Sequence, residues 1–333
     1  MILERGKIEH ALKTQNPFVI AMYHLDDFPE GNGHLGPVIH PLEAAENTNA
    51  WRMYYGRYVP GFPAHPHRGF ETVTVVVEGT VDHTDGMGSQ GRYADGDVQW
   101  MTAGKGLQHA EMFPLRKTDA RNPLELFQIW LSLDRQHRMV EPAYKMLWDE
   151  DIPKIELMDE AGKAVKVTLI AGEAHGAKAP EPTPHSWAHD PAHHLSIQLL
   201  ELSPGAVHVL PGGVDPLSRS LYFYAGDTLA IEGEVFEGKS YAFVEGNVPT
   251  KLQNLGSSSV KVLLLEADPI PEPIVAYGPF VMSSMEEIKE AYRDYQATQF
   301  GGWPFPETEV YYPMEQERFA RHADGTLEYP PSK

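Results

Sequence analysis

The twenty residues PGFPAHPHRGFETVTVVVEG, Pro60–Gly79, decide how the chain is read. A Pro- and Gly-punctuated entry leads into a β-branched run that ends on a glycine turn, which reads as a strand and a hairpin. His65 and His67 stand two apart at its entry. Side chains alternate faces along a strand, so both imidazoles are expected on one side. Glu71 shares their parity, and Val73, Val75 and Val77 continue that face as apolar lining if the strand is regular. Pro66, Arg68 and Phe70 fall on the opposite face, and Gly69 adds no bulk.

A second stretch, GDVQWMTAGKGLQHAEMF (Gly96–Phe113), carries His109 and Glu111, again two apart, behind a Gly-rich bend. Either pair alone is a weak signal. Together, separated by strand–turn–strand, they place three imidazoles and a carboxylate where they can converge. That donor set suits iron, manganese, copper, nickel or zinc. Strand parity permits Glu71 as well as Glu111 for the carboxylate. Open coordination positions would favour catalysis over a purely structural metal.

The chain of 333 residues is long enough for about two domains. It holds no cysteine, which excludes disulfides, a thiolate nucleophile and thiolate metal sites. Lys and Arg number 27 against 47 Asp and Glu, a formal charge of −20, which argues against direct nucleic-acid contact or an anionic membrane surface. No apolar run approaches the ~20 residues of a membrane span. MILERGKIEH has no apolar stretch of the secretory kind, so a cytoplasmic location is expected. A monomer is the expected state.

Strand-like runs follow through the rest of the chain: DVQWMTAG, ELFQIWLSLD, then KVTLIAG, LSIQLLEL, AVHVLP, SRSLYFYAGD, SYAFVEG and SVKVLLLEAD. Many short strands separated by turns imply sandwiches or barrels. Superposing Gly79 on Gly226 aligns VTVVVEGTV with SLYFYAGDT, a weak repeat that sets His65 and His67 opposite Gly212 and Val214. The second half thus repeats the strand plan without the histidines. SSMEEIKEAYRDYQATQF reads as a helix, with Ser283 and Glu286 as a capping box. The segment after Phe300 reads as irregular. Residues 173–194, with five histidines and four prolines, read as a long surface loop in which a second metal site is conceivable.

HxH, a Glu four residues later, a Gly turn and a later His resemble the two-part cupin signature. The wording HPHRGFETVT, GDVQWMTAGKG, HAEM, GEAHG and YGPFVM is closer still to the pirin family, over about residues 59–282. Two departures from general cupins, the longer spacing from Glu71 to its glycine turn and Thr102 where proline is usual, are shared by pirins. The 173–194 insertion and the tail look longer than in animal members. The resemblance implies an all-β bicupin: two face-to-face antiparallel β-barrels of the double-stranded β-helix, jelly-roll type, with a short C-terminal helix. It places a metal-binding barrel at 1–150, a barrel without metal ligands at 151–270, and the helix and tail at 271–333.

The family's metal ligands map onto His65, His67, His109 and Glu111, usually around iron. Glu111 or Glu71 is the candidate catalytic carboxylate, and Phe62, Phe70 and Trp100 are candidates to wall the pocket. Bacterial-type pirins resemble quercetinases, which open a flavonol ring with O2 and release CO. The alternatives are an iron-dependent redox-sensing regulator that binds a protein partner, as animal pirins imply, or another cupin reaction such as isomerisation or a different ring cleavage.

Overall fold

The computed structural model describes residues 1–39 and 51–332. Strands dominate, as the alternating β-branched runs require, and they form two compact units. One unit comprises Met1–Ala21 and Asp151–Pro271; the other comprises Met22–Glu150 and Glu272–Lys333.

In the second of these, two sheets enclose an apolar core that includes Val76, Val81, Tyr93, Leu126 and Trp148. One sheet sets Phe70–Glu78 between Val98–Thr102 and Asn122–Ser132, all antiparallel. The other sheet orders Gly61–His67, Leu107–Met112, Thr80–Asp85 and Gln90–Ala94 side by side. The tail is not irregular throughout. Phe319–Arg321 pairs with Gln90–Ala94 and extends this sheet. Arg92, fully buried, forms a two-pronged ion pair with Asp82 at 2.6 and 2.7 Å and also donates to the carbonyls of Tyr312, Pro313 and Gln316. A buried guanidinium needs its donors satisfied, and the tail's backbone satisfies them.

The other unit has a seven-stranded sheet, with Ser218–Ala225, Val260–Ala267 and Ser196–Leu202 at its centre, and a four-stranded sheet that includes Val207–Leu210 and Thr250–Asn254. Between them lies an apolar core of Leu200, Leu221, Phe223, Leu252, Val262 and Leu264, among others. Gly212 and Val214, which the repeat sets opposite His65 and His67, fall beyond the strand Val207–Leu210, whose buried residues are His208 and Leu210.

The strand pairing interleaves the contiguous division expected from sequence. Ile2–Lys7 pairs with Ser240–Glu245, and Asn16 closes a double hydrogen bond, 2.8 Å each way, with the backbone of Ile270. Hence residues 1–21 belong with the barrel of 151–271. The helix Met285–Thr298 belongs with the other unit, where Ile288 and Ala291 pack on Phe280 and Met282. Its N-cap is Ser284, one residue later than the predicted box: Ser284 accepts from Glu287 N, while the Glu287 carboxylate accepts from Ser283 N. No helix among the described residues is long and apolar enough to cross a membrane.

Candidate metal centre

Register brings the two histidine motifs together. His65 and His109 are directly paired across the strands Gly61–His67 and Leu107–Met112, on one face with His67. The ring centroids of His65, His67 and His109 stand 4.4 to 4.8 Å apart, and one ring nitrogen from each lies within 4.8 Å of the others. Among the described residues this is the one group of three or more His, Asp or Glu so arranged. The histidines of the 173–194 segment form no such group.

The hydrogen bonds fix which nitrogen is presented. His65 Nδ1 donates to Pro63 O at 2.9 Å and His67 Nδ1 donates to Pro279 O at 3.3 Å, which leaves each Nε2 as a lone pair. The buried His67 Nε2 and both nitrogens of His109 have no hydrogen-bond partner in the protein. Orphaned buried nitrogens are costly, and a coordinated metal ion would satisfy His67 Nε2 and one nitrogen of His109. Burial keeps all three rings neutral, as ligation requires. It holds His65 at about 4, and, with the neighbouring imidazoles adding to it, holds His67 and His109 well below the usual 6.5. The residues present therefore fit a metal ion.

Glu111 lies beside this triad. Its Oε2 is 3.7 Å from His109 Nε2, close to the roughly 3 Å that separates two donors each about 2.1 Å from one ion. Thr74 Oγ1 donates to Oε1 at 3.1 Å and Gln128 Nε2 donates to Oε2 at 2.5 Å. Burial raises the carboxyl above its ordinary range, against the opposing pull of His83, Gln128 and Thr74.

Glu71 is not part of the group. Its buried carboxylate accepts from Thr102 Oγ1 at 2.7 Å and Trp100 Nε1 at 3.2 Å. The parity argument fails at one residue. Gly69 has φ +86° and separates the strand ending at His67 from the one starting at Phe70, so the alternation restarts. Thr74 and Val76, not Val73, Val75 and Val77, face the barrel interior. Phe70, expected on the far face, sits with its ring 5.0 Å from that of His67. Gly69 is also the only residue type that fits: a Cβ there would lie 1.8 Å from Val281 O.

Of the expected pocket walls, Phe70 adjoins His67, and Phe62 lies 6.2 Å from the His65 ring within a cluster with Tyr54, Tyr55 and Phe113. Trp100 is spent on Glu71. Sequence reading missed Trp130, whose ring lies 5.2 Å from His67, and Gln128, both on the inner face of Asn122–Ser132. A glutamine inside the apolar run LELFQIWL was the available signal, because buried amides demand partners. His83 is fully buried, with its ring 5.6 Å from His109 and stacked on Tyr144.

Two antiparallel β-barrels in one chain, with histidines converging inside one of them, define a bicupin with a candidate metal centre. Comparison with known proteins narrows the class. Residues 30–131 match the Pirin family model and residues 200–301 match the Pirin C-terminal cupin domain. The chain is 37% identical over 250 residues to a Pseudomonas aeruginosa protein provisionally named a quercetin 2,3-dioxygenase, covering 72% of this chain and 79% of that one. It is 34% identical to human pirin over 253 residues, 72% of this chain and 78% of that one. Among solved structures, quercetin 2,3-dioxygenase from Acinetobacter baumannii superposes with a TM-score of 0.70 at 27% identity, covering 90% of this chain and 98% of that one. The chain belongs to the pirin family.

Proposed function

We propose that this pirin is a metal-dependent dioxygenase of the quercetinase type, which opens the heterocycle of a flavonol with O2. Both oxygen atoms enter the depside ester and one ring carbon leaves as CO, so the reaction balances without an added reductant. The observation that carries the reading is the converging triad His65, His67 and His109, with partnerless buried nitrogens on His67 and His109 and with His109 Nε2 3.7 Å from the Glu111 carboxylate. The quercetinase-named relatives support it. Iron is the metal we assign, with manganese, copper, nickel or zinc as alternates; when bound, it would supply a Lewis acid for the flavonol 3-hydroxyl and a path for electrons from substrate to dioxygen.

The chain's own residues do the rest. His65 and His67 hold their Nε2 lone pairs forward through the Pro63 and Pro279 carbonyls. Glu111 serves as fourth ligand or takes the 3-hydroxyl proton on Oε2. Burial makes it a stronger base than a surface carboxylate, and Gln128 and Thr74 hold it in place. Phe70 and Trp130, tilted against each other with centroids 4.3 Å apart, give a flat aromatic substrate an apolar wall beside His67. Glu71 acts through Trp100 and Thr102 rather than on substrate. A cytoplasmic setting agrees with the acidic, cysteine-free composition.

The test is anaerobic reconstitution of metal-free protein with each metal in turn, followed by quercetin, O2 and headspace CO measurement. CO formation that His109→Ala abolishes is expected. No CO with any metal would sink the dioxygenase reading, and metal-dependent capture of one protein partner without turnover would replace it with a regulator.

A further inference from the structure

The barrel without histidine ligands contains a cavity of its own, about 370 Å³ in volume. Strand register builds its wall in rows. Ser196, Glu266 and Arg219 are neighbours across three strands, and Gln198, Leu264 and Leu221 form the next row inward. Leu210 and Leu217 complete the apolar side. Deeper rows are apolar core, so the polar groups gather at one end of the barrel interior.

Among the buried polar side chains there, one acceptor is left open. Ser196 Oγ donates its only proton to Ala171 O at 3.3 Å and therefore must accept at 2.9 Å from Gln198 Nε2. That fixes the Gln198 amide and leaves its Oε1 as a buried acceptor with no partner, on a side chain 6% exposed. Arg219 has little left for an anion: four of its five N–H donors already bond Glu266, Val248 O, Thr250 Oγ1 and Pro211 O. Around the cavity, Glu173, Glu181, Asp190 and Glu266 outnumber Lys178 and Arg219, a formal excess of two negative charges with His175, His189 and His194 counted as neutral. A ligand here must bring N–H donors and gains by carrying positive charge.

We propose that the second barrel is a separate small-molecule site that takes a primary ammonium on a compact apolar body, with the N–H groups on Gln198 Oε1 and toward Glu266 and the body against Leu210, Leu217 and Leu264. The site is independent of the histidine centre.

Three probes share one aryl body and differ in charge: tyramine as cation, p-cresol as neutral and 4-hydroxyphenylacetate as anion. They are titrated into the full-length protein by calorimetry and ligand-observed NMR. Tyramine should saturate at one site, at least about ten-fold tighter than either analogue. Gln198→Leu should weaken it by a similar factor, and Leu217→Trp, which fills the cavity from its rim, should abolish it; melting curves check that each variant folds. His65→Ala should leave tyramine binding intact, which separates this site from the first barrel. Absence of saturable tyramine binding overturns the proposal. So does equal affinity for the anion, indifference to Leu217→Trp, or loss of binding in His65→Ala.

Discussion

Gly69→Ala tests how the chain aims His67. The substitution adds one methyl at φ +86°, where an L-residue costs about 1–2 kcal/mol. It also adds a collision. The new Cβ would lie 1.8 Å from Val281 O, whereas real Cβ contacts essentially never fall under 3.0 Å, so one partner must withdraw by about 1.2 Å, the difference. That withdrawal strains two hydrogen bonds, Val281 N to Arg68 O at 2.9 Å and Gly69 N to Gly104 O at 2.8 Å, each worth on the order of 1 kcal/mol. The sum is about 2–4 kcal/mol, which in a unit of this size lowers the melting temperature on the order of 5–15 °C. Pro279, whose carbonyl orients His67, lies on the segment that must move. Metal affinity should therefore fall about 10–100-fold, as when an outer-shell partner is lost. Gly88→Ala is the matched control: φ is +93° there, but nothing lies within 4 Å of the added Cβ. It should cost only the conformational term and keep full metal content. Melting curves and elemental analysis of the two variants decide the matter. If they behave alike, the packing of Gly69 against Val281 does not position the centre.

Two further outcomes follow from the same geometry. Gln128→Leu removes the donor to Glu111 Oε2, so the carboxyl should rise further and metal affinity fall about 10–100-fold, read by chelator competition; unchanged affinity would mean that Gln128 does not tune the site. In metal-free protein, His65, His67 and His109 are held below 6.5 when folded and regain that value when unfolded. The unfolded state then binds more protons, so stability is fully present above about pH 6.5 and is lost as pH falls toward about 4. Urea midpoints across that window should fall more gently for His109→Asn than for wild type, and parallel curves would contradict the assignment.

The grouping of His65, His67 and His109 was legible because HxH and the later His are short motifs that survive ignorance of the turns between them. The spacing implied that the two motifs converge, and the structure makes His65 and His109 direct cross-strand partners. What failed was anything carried across Gly69. The alternation that put Glu71 with the histidines assumed a continuous strand, and one left-handed residue reversed the face of everything after it. The burial of His83 has no local signal, because the tail that covers its sheet lies more than two hundred positions away, anchored by Arg92. The division near residue 150 was legible, but that Met1–Ala21 belongs with Asp151–Pro271 was invisible locally. Ile2–Lys7 alternates half-buried and exposed residues, as any edge strand does, and nothing in it names Ser240–Glu245 as its partner.

That pairing sets a timetable for synthesis. Lys7 and Ser240 are partners across 233 positions, so the N-terminal strand is made well before the strand it joins. At about 5–20 residues per second it waits on the order of 10–50 s with its backbone unpaired. An open edge is a template for association with other nascent chains. The strand's outward row of Leu3, Arg5 and Lys7, with Glu4 beside them, puts charge along that edge for the interval. The N-terminal segment therefore has two tasks: to stay soluble alone early, and to complete a barrel late.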